Sequence, residues 1–296
     1  MNKNVALVLA SGGSRGMAHI GAIEELISRG YEITSIAGCS IGSLIGGIYA
    51  SGKLAEAHDW FCQLDKQQIL SLTDISLGFS HVVKGDKVLR AIQEFVPDRN
   101  IEDLPIPCSF VATDILNANE VVFKTGSLFE AIRASISIPL FFRPVKYNNT
   151  LLVDGGLVNP FPLNQVQRHD GDILVGVNIS AKDSMEVSLS KEKEHEIELP
   201  SVPAMLQRFT KLSDTWEKVT DKIEQRIEQR VQEFDDENIP IELNYFSLIN
   251  RSIDVQIQQN GQLMTQFYKP DVLVEMPQNE YTTFDFDKAE EILNSG

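Results

Sequence analysis

Apolar runs and amphipathic segments alternate along the first fifty residues of the chain. Val5–Ala10 is a continuous apolar run that ends at Ser-Gly-Gly, which is typical of a strand buried in a parallel sheet. Gly16–Arg29 then carries apolar residues at helical spacing and ends before Gly30. Ile33–Ala37 and Ile41–Ser51 repeat this order of strand and helix. The β-α-β-α order predicts a parallel sheet with right-handed crossovers.

Patterns of the same kind predict further elements up to position 180 and after position 245. The predicted helices are Leu54–Leu64, Lys87–Phe95, Ser127–Ser135, Phe246–Met264 and Phe286–Leu293. The predicted strands are Cys108–Asp114, Glu120–Lys124, Leu151–Val153, Ile173–Asn178 and Asp271–Met276. Because the chain contains no internal repeat, we interpret residues 1–296 as one domain.

Composition changes between residues 181 and 245, which we interpret as an insertion into that domain. Ala181–Pro200 is polar and rich in acidic residues, so we expect a mobile loop. Apolar residues then recur at steps of three and four over Pro203–Asp235, which predicts one amphipathic helix of roughly 45 Å. This helix could form a cap over a functional site, a contact between two copies of the chain, or a layer on its own sheet. Asp236–Glu242 reads as a linker.

Charge and cysteine content narrow the classes of partner. The net charge of −16 argues against nucleic acid as a partner and against attraction to anionic lipid, so neutral or interfacial substrates stay open. No run approaches the 18 apolar residues that a membrane span needs, and no signal peptide is recognisable. Cys39, Cys62 and Cys108 give neither a disulfide framework nor the spacing of metal ligands. We therefore expect a cytoplasmic protein.

The segment GCSIG places Ser40 on a sharp corner between a predicted strand and a predicted helix. Gly38 and Gly42 allow the two elements to approach closely, as in a nucleophile elbow. The serine hydroxyl would then emerge at the carboxyl end of a parallel strand, where open α/β sheets bind ligands. An ordinary helix cap by Ser40 is the alternative, and a thiol nucleophile at Cys39 is a weaker one.

A second glycine-rich turn, SGGSRG, follows the first strand and opens the first helix. Its amide groups can converge on an anion, as an oxyanion hole requires. A dinucleotide phosphate loop is disfavoured, because Ser11 occupies the first glycine position of that motif and the second strand ends in no acidic residue. Arg15 would orient this loop or bind a substrate headgroup, and a surface arginine is the alternative.

A proton acceptor for Ser40 is less easily found among the histidines than among the carboxylates. None of the five histidines has the context of a general base, and we expect each to be solvated: His19, His58, His81, His169 and His195. The segment LLVDGG brings Asp154 from an apolar strand onto two glycines. An Asp-Gly turn without catalytic function remains the alternative for Asp154.

Three motifs in order, SGGSRG at 11–16, GCSIG at 38–42 and DGG at 154–156, resemble those of the patatin-like phospholipase family. The flanking segments MAHIGAIEEL, SIGSLIGGIYASG and ASISIPLFFRPV resemble the bacterial members, as do KPDVLVEMP and TTFDFDKAEEIL near the C-terminus. The resemblance covers about residues 4–180 and 245–296. One departure is that Ala10 and Ser11 stand where bacterial relatives often have glycine.

The resemblance implies a three-layer α/β/α sandwich around a mainly parallel sheet, and a Ser-Asp dyad without a catalytic histidine. Ser40 would be the nucleophile and Asp154 the general base. The amides of three residues would form the oxyanion hole: Gly12, Gly13 and Ser14. The supporting motif positions would be Arg15, Gly16, Gly38, Gly42, Gly155 and Gly156. No metal, nucleotide or other cofactor is implied.

The resemblance therefore predicts a serine acyl hydrolase, a phospholipase A-like or lysophospholipase-like esterase acting through an acyl-enzyme. Its substrate would be a lipid or other acyl ester, and transient contact with a membrane surface is compatible with such a substrate. Two other functions stay open. One is a Ser-His esterase or acyltransferase that uses His169 or His195. The other is a non-catalytic acyl-binding or regulatory protein with the same fold.

Overall fold

The computed structural model describes residues 3–72, 86–139, 141–182, 245–278, 280–281 and 285–296. One compact unit contains residues 1–183 and 249–296, and a second contains residues 184–248. Residues 183–244 lie outside the described residues. They include most of the predicted loop at 181–200, the predicted helix at 203–235 and the linker after it.

The described elements are eight strands and eight α-helices. Strands β1 to β8 span Asn4–Leu9, Glu32–Cys39, Cys108–Asp114, Asn119–Phe123, Val145–Tyr147, Thr150–Asp154, Ile173–Ala181 and Val272–Pro277. Helices α1 to α8 span Met17–Ser28, Ile41–Ala50, Leu54–Cys62, Lys66–Leu72, Asp86–Gln93, Leu128–Ser135, Tyr245–Tyr268 and Ala289–Leu293. Every strand and helix predicted within these residues is present, to within a few residues at each end. Two short elements were not predicted, namely α4 and β5.

All eight strands form one sheet, in the order β5-β6-β3-β2-β1-β7-β8, with β4 also paired to β3. Five neighbouring strands run parallel to one another: β3, β2, β1, β7 and β8. The other three strands, β4, β5 and β6, pair in the antiparallel sense. The mainly parallel sheet predicted from the alternation of strands and helices is thus confirmed. Because parallel strands end at one edge of the sheet, the turns after β1 and β2 lie on the same side of the molecule.

Strands β2 and β6 meet end to end along one edge of β3. The last residue of β2, Cys39, is paired with Val111 in the parallel sense. The last residue of β6, Asp154, is paired in the antiparallel sense with Ala112, the next residue along β3. Because β4 occupies the opposite edge of β3 over Phe110–Asp114, β2 and β6 must share the remaining edge. The residue after β2 and the last residue of β6 are therefore neighbours.

Helices pack on both faces of the sheet. Alternate β1 side chains from Val5 to Leu9 enter the larger core, which is built with α1, α2 and α6. The intervening residues from Ala6 to Ala10 face the opposite, smaller core, against which Met264 of α7 packs. The β1 and β2 residues in this second core are small, namely Ala6, Val8 and Ala37. The two cores together fix the ends of β1 and β2, where the glycine-rich turns begin.

Candidate active site

Ser40 occupies a strained corner between β2 and α2. Its backbone adopts φ 54° and ψ −122°, a region that residues other than glycine rarely enter. The corner is tight because a Cβ at Gly42 would lie 2.2 Å from the carbonyl oxygen of Leu9. A strand, a strained turn and a helix are the local structure of a nucleophile elbow. The corner thus presents the Ser40 hydroxyl in a fixed direction.

The Ser40 hydroxyl donates a hydrogen bond of 2.5 Å to Oδ2 of Asp154, across 114 positions of sequence. The other carboxylate oxygen, Oδ1, accepts the backbone N–H of Gly156 at 2.8 Å. Ser40 is 4% exposed and Asp154 is 5% exposed, so the pair is nearly removed from solvent. A hydroxyl that donates directly to a buried carboxylate has the geometry of a nucleophile and its base.

Burial raises the pKa of Asp154 to about 6, against the stabilising hydrogen bonds from Ser40 and Gly156, which lower it. A carboxyl with a pKa near 6 is still mainly ionised at neutral pH. It is also a stronger proton acceptor than an ordinary aspartate, because Brønsted behaviour favours a base whose pKa lies near the working pH. The environment of Asp154 therefore suits it for general-base catalysis.

The pH dependence of ester hydrolysis should reveal the ionisation of the Asp154 carboxyl group. If Asp154 is the base, kcat/KM for a non-ionising ester should rise with pH and reach half of its plateau near pH 6, because only the ionised carboxylate accepts the Ser40 proton. The measurement is the initial rate of p-nitrophenyl ester cleavage between about pH 4.5 and 8. A profile that stays flat over this range, or that has its midpoint near 4, would contradict the assignment.

Ser135, at the end of α6, is hydrogen-bonded to the backbone of the elbow. Its hydroxyl accepts the backbone N–H of Ser40 at 2.8 Å and donates to the carbonyl of Val111 at 2.6 Å. Because that proton is used, Ser43 Oγ must be the donor in the 2.8 Å contact with Ser135 Oγ. Both Ser43 and Ser135 are completely buried. The segment ASISIPLFFRPV, which contains this serine, gives no local signal of such a role.

Removing the Ser135 hydroxyl should weaken both the fold and the site. Ser135→Ala leaves the buried Ser40 N–H unpaired, so we expect the free energy of unfolding to fall by about 1–3 kcal/mol. We also expect kcat to fall at nearly constant KM, because the strained backbone of Ser40 loses a restraint. Urea denaturation and ester kinetics measure the two effects. Ser43→Ala, which removes one donor to Ser135, should cost less, and equal losses in the two variants would contradict the assignment.

The glycine-rich loop after β1 packs against the elbow. Gly13–Gly16 forms a turn of 3-10 helix, and Gly13 has a positive φ of 61°. A Cβ at Gly16 would lie 2.0 Å from Cγ1 of Ile41, the residue that follows Ser40. This close approach brings the loop that contains Gly12 beside the nucleophile, as an oxyanion hole requires.

Arg15 connects this loop to β7 and to the segment after β8. Its guanidinium is buried, and it donates to the carbonyls of Ile179 at 2.7 Å and Tyr281 at 2.8 Å. Burial lowers the pKa of Arg15 to about 10, against the attraction of Asp254 and Asp285, so the side chain stays cationic at neutral pH. The surface interpretation of Arg15 is therefore wrong. Its donors point at backbone carbonyls, which suits it to orienting the loop.

The thiol beside Ser40 is unsuited to attack. Cys39 is completely buried, and burial together with the charge of Asp154 raises its pKa well above the ordinary value. A thiol that stays protonated in the core is a poor nucleophile. This geometry disfavours the alternative of a thiol enzyme.

The prediction that every histidine is solvated is wrong for His19. Its ring is completely buried, and Nε2 contacts the carbonyl of Ala10 at 2.8 Å. Burial lowers the pKa of His19 to about 4, so the ring is neutral and supports the start of the glycine-rich loop. Within the part of the chain that the structure describes, no histidine is hydrogen-bonded to Ser40 or Asp154. Two histidines lie outside the described residues: His81 and His195.

Comparison with known proteins places these motifs in a family. The model of the patatin-like phospholipase family matches residues 7–166, a range that contains both turns and the Asp-Gly-Gly motif. An uncharacterized NTE family protein of Mycobacterium tuberculosis is 32% identical over 320 residues, covering 99% of this chain and 89% of that protein.

Two more distant matches cover part of the chain. Mouse patatin-like phospholipase domain-containing protein 6 is 30% identical over 191 residues, which is 62% of this chain and 14% of that protein. Among solved structures, VipD from Legionella pneumophila matches with a TM-score of 0.40 and 16% identity, over 62% of this chain and 51% of that one.

Proposed function

This chain belongs to the patatin-like phospholipase family, and from that membership we propose that it is a serine acyl hydrolase with a Ser40–Asp154 dyad. The family supports a lipid acyl hydrolase in general terms, and the dyad is the more specific proposal. The observation that carries it is the direct 2.5 Å hydrogen bond from the Ser40 hydroxyl to the Asp154 carboxylate. No third group lies between the two oxygens, so proton transfer is a single step.

In the acylation half of the reaction, Asp154 takes the proton of Ser40 while Ser40 Oγ attacks the carbonyl carbon of the ester. The carbonyl oxygen becomes an oxyanion, which the amides of Gly12, Gly13 and Ser14 would stabilise. Each well-placed donor of this kind is worth about 3–4 kcal/mol in the transition state. The alcohol then leaves with the proton from Asp154, and the acyl group remains on Ser40.

Water completes the cycle. It adds to the acyl carbon and gives its proton to Asp154, and the bond to Ser40 Oγ breaks as the proton returns to the serine. The Ser40 amide is not available as an oxyanion donor, because it is bonded to Ser135. The glycine-rich loop packs against the elbow, which supports its role as a source of oxyanion donors.

A lipid substrate follows from the family, and the acidic chain fits a neutral or zwitterionic headgroup better than an anionic one. Among the helices in the described ranges, none is both long and apolar enough to cross a bilayer. We propose that the substrate is an acyl ester whose carbonyl group reaches Ser40 at the carboxyl ends of β1 and β2.

The Ser-His alternative is less well supported at His169. That residue lies in the turn just before β7, where its backbone N–H donates to Asp172. β7 is parallel to β1, and its first residue, Ile173, is paired with Val5 near the start of β1. His169 is therefore at the amino edge of the sheet, whereas Ser40 is at the carboxyl edge.

A fluorophosphonate probe and a lipid extract test the proposal together. The probe should label the protein at Ser40, as located by peptide mass spectrometry. Incubation with a mixed, zwitterionic lipid extract should release free fatty acids. Absence of labelling would remove the nucleophile assignment and favour the non-catalytic acyl-binding function, whereas labelling without release of fatty acids would exclude these lipids as substrates.

A further inference from the structure

The hydroxyl of Ser11 is a buried polar group for which the proposed reaction has so far given no role. Ser11 is 3% exposed, and its Oγ has no hydrogen-bond partner among the residues that the structure describes. A buried hydroxyl without a partner costs about 1–3 kcal/mol, so its retention calls for a reason.

The backbone of Ser11 is held by two hydrogen bonds. The Ser11 N–H donates to the carbonyl of Pro160 at 2.8 Å, and its carbonyl accepts the hydroxyl of Ser180 at 2.9 Å. These bonds leave the side-chain oxygen as the spare polar atom of the residue.

That oxygen lies beside the carboxylate of the dyad. A Cβ at Gly156 would be 3.0 Å from Asp154 Oδ1 and 3.2 Å from Ser11 Oγ, with Cδ1 of Ile257 at 3.4 Å. Both oxygens thus flank one point. Ser11 Oγ has no hydrogen-bond partner in the described residues, and a separation of at most about 6 Å between the two oxygens is close to the span of one bridging water. The carboxylate oxygen involved is Oδ1, the one that does not receive the Ser40 proton.

We propose that Ser11 is a water-binding residue: its hydroxyl and Asp154 Oδ1 together hold the water that attacks the acyl-enzyme. The inference rests on the proposed hydrolase function. Water bound at these two points adds to the acyl carbon and transfers its proton to Asp154. The bond from the acyl carbon to Ser40 Oγ then breaks, and Ser40 takes back the proton as the carboxylic acid leaves. The Ser11 hydroxyl would be the second group that binds this water, beside Asp154 Oδ1. This role would account for a serine in a motif that is otherwise rich in glycine.

Measuring acylation and deacylation of Ser40 separately distinguishes a water-binding role of Ser11 from a structural one. Labelling of Ser40 by a fluorophosphonate needs the nucleophile, the base and the oxyanion donors, but it needs no attacking water. Decay of an acyl-enzyme does need the water. In the experiment, the rate of labelling is measured first. The full chain is then acylated with p-nitrophenyl butyrate, freed of excess ester, and followed by intact-protein mass spectrometry.

Ser11→Ala should leave the labelling rate within about twofold of the wild type and slow acyl-enzyme decay by about tenfold, the effect of losing one hydrogen bond of about 1.4 kcal/mol. Ser11→Thr, which keeps the hydroxyl, should restore decay to within about threefold. If decay is unchanged in Ser11→Ala, or if labelling and decay fall together, the proposal is overturned.

Ser180→Ala is the matched control, because it loosens the backbone of Ser11 and keeps the Ser11 hydroxyl. A selective loss of decay in this variant would assign the effect to the loop and overturn the role of the hydroxyl. Failure of the proposed function looks different, since the wild-type protein would then show neither labelling nor an acyl adduct at Ser40.

Discussion

Ser40→Ala should abolish ester hydrolysis, with kcat lower by at least about 10⁴-fold. The substitution removes the only atom that forms the acyl bond, while the base and the glycine-rich loop stay in place. The residual rate then comes from substrate binding and the oxyanion donors alone. Steady-state cleavage of a p-nitrophenyl ester measures the loss, and fluorophosphonate labelling should disappear with it.

Ser40→Gly provides the matched variant for this position. Both substitutions remove the hydrogen bond to Asp154, but only glycine also relieves the backbone strain at φ 54°. We expect the glycine variant to be more stable than the alanine variant by about 1 kcal/mol and equally inactive. Activity that persists in either variant would show that another residue is the nucleophile.

Asp154→Asn should lower kcat by about 10²–10⁴-fold, the usual contribution of a general base. The amide has nearly the same shape as the carboxyl group, so substrate binding should change little. It cannot accept the proton of Ser40, and its NH₂ group can turn towards the hydroxyl. Fluorophosphonate labelling should therefore slow as well. A variant with full activity would rule out the dyad, and an altered far-ultraviolet circular dichroism spectrum would mark a folding defect.

The same substitution should raise the stability of the protein at neutral pH. The folded-state pKa of Asp154 is about 6, above the 3.8 of an unperturbed aspartate, so the folded protein holds this proton more tightly than the unfolded chain does. The carboxyl group therefore becomes less favourable to folding as pH rises from about 4 to 6, and its effect is constant above that range. The gain in Tm of Asp154→Asn over the wild type should be larger at pH 8 than at pH 4.

The local parts of this site could be predicted from sequence, because they depend on short segments. The elbow needs an apolar strand, a Gly-x-Ser-x-Gly turn and an apolar helix, and these occur together around Ser40. The glycine-rich loop likewise depends on one strand and one helix. Asp154 was harder to assign from its own segment, since Asp-Gly is a common turn, and the order of three motifs decided the prediction.

The parts that the sequence did not reveal depend on contacts between distant segments. Ser135 supports the elbow from another helix, 95 positions away from Ser40. The burial of His19 depends on how α1 packs on the sheet, and a lone histidine within a helix gives little local signal. Strand β5 has three residues, of which two are exposed, so it lacks the apolar pattern of the other strands.

The end-to-end meeting of β2 and β6 on β3 has a consequence for biosynthesis. The nucleophile is translated early, and its carboxylate partner follows only after 114 more residues. Until β6 is in place, the Ser40 hydroxyl lacks the carboxylate that would accept its proton. If Asp154 is the base, hydrolytic activity would therefore appear only when β6 pairs with β3 late in folding.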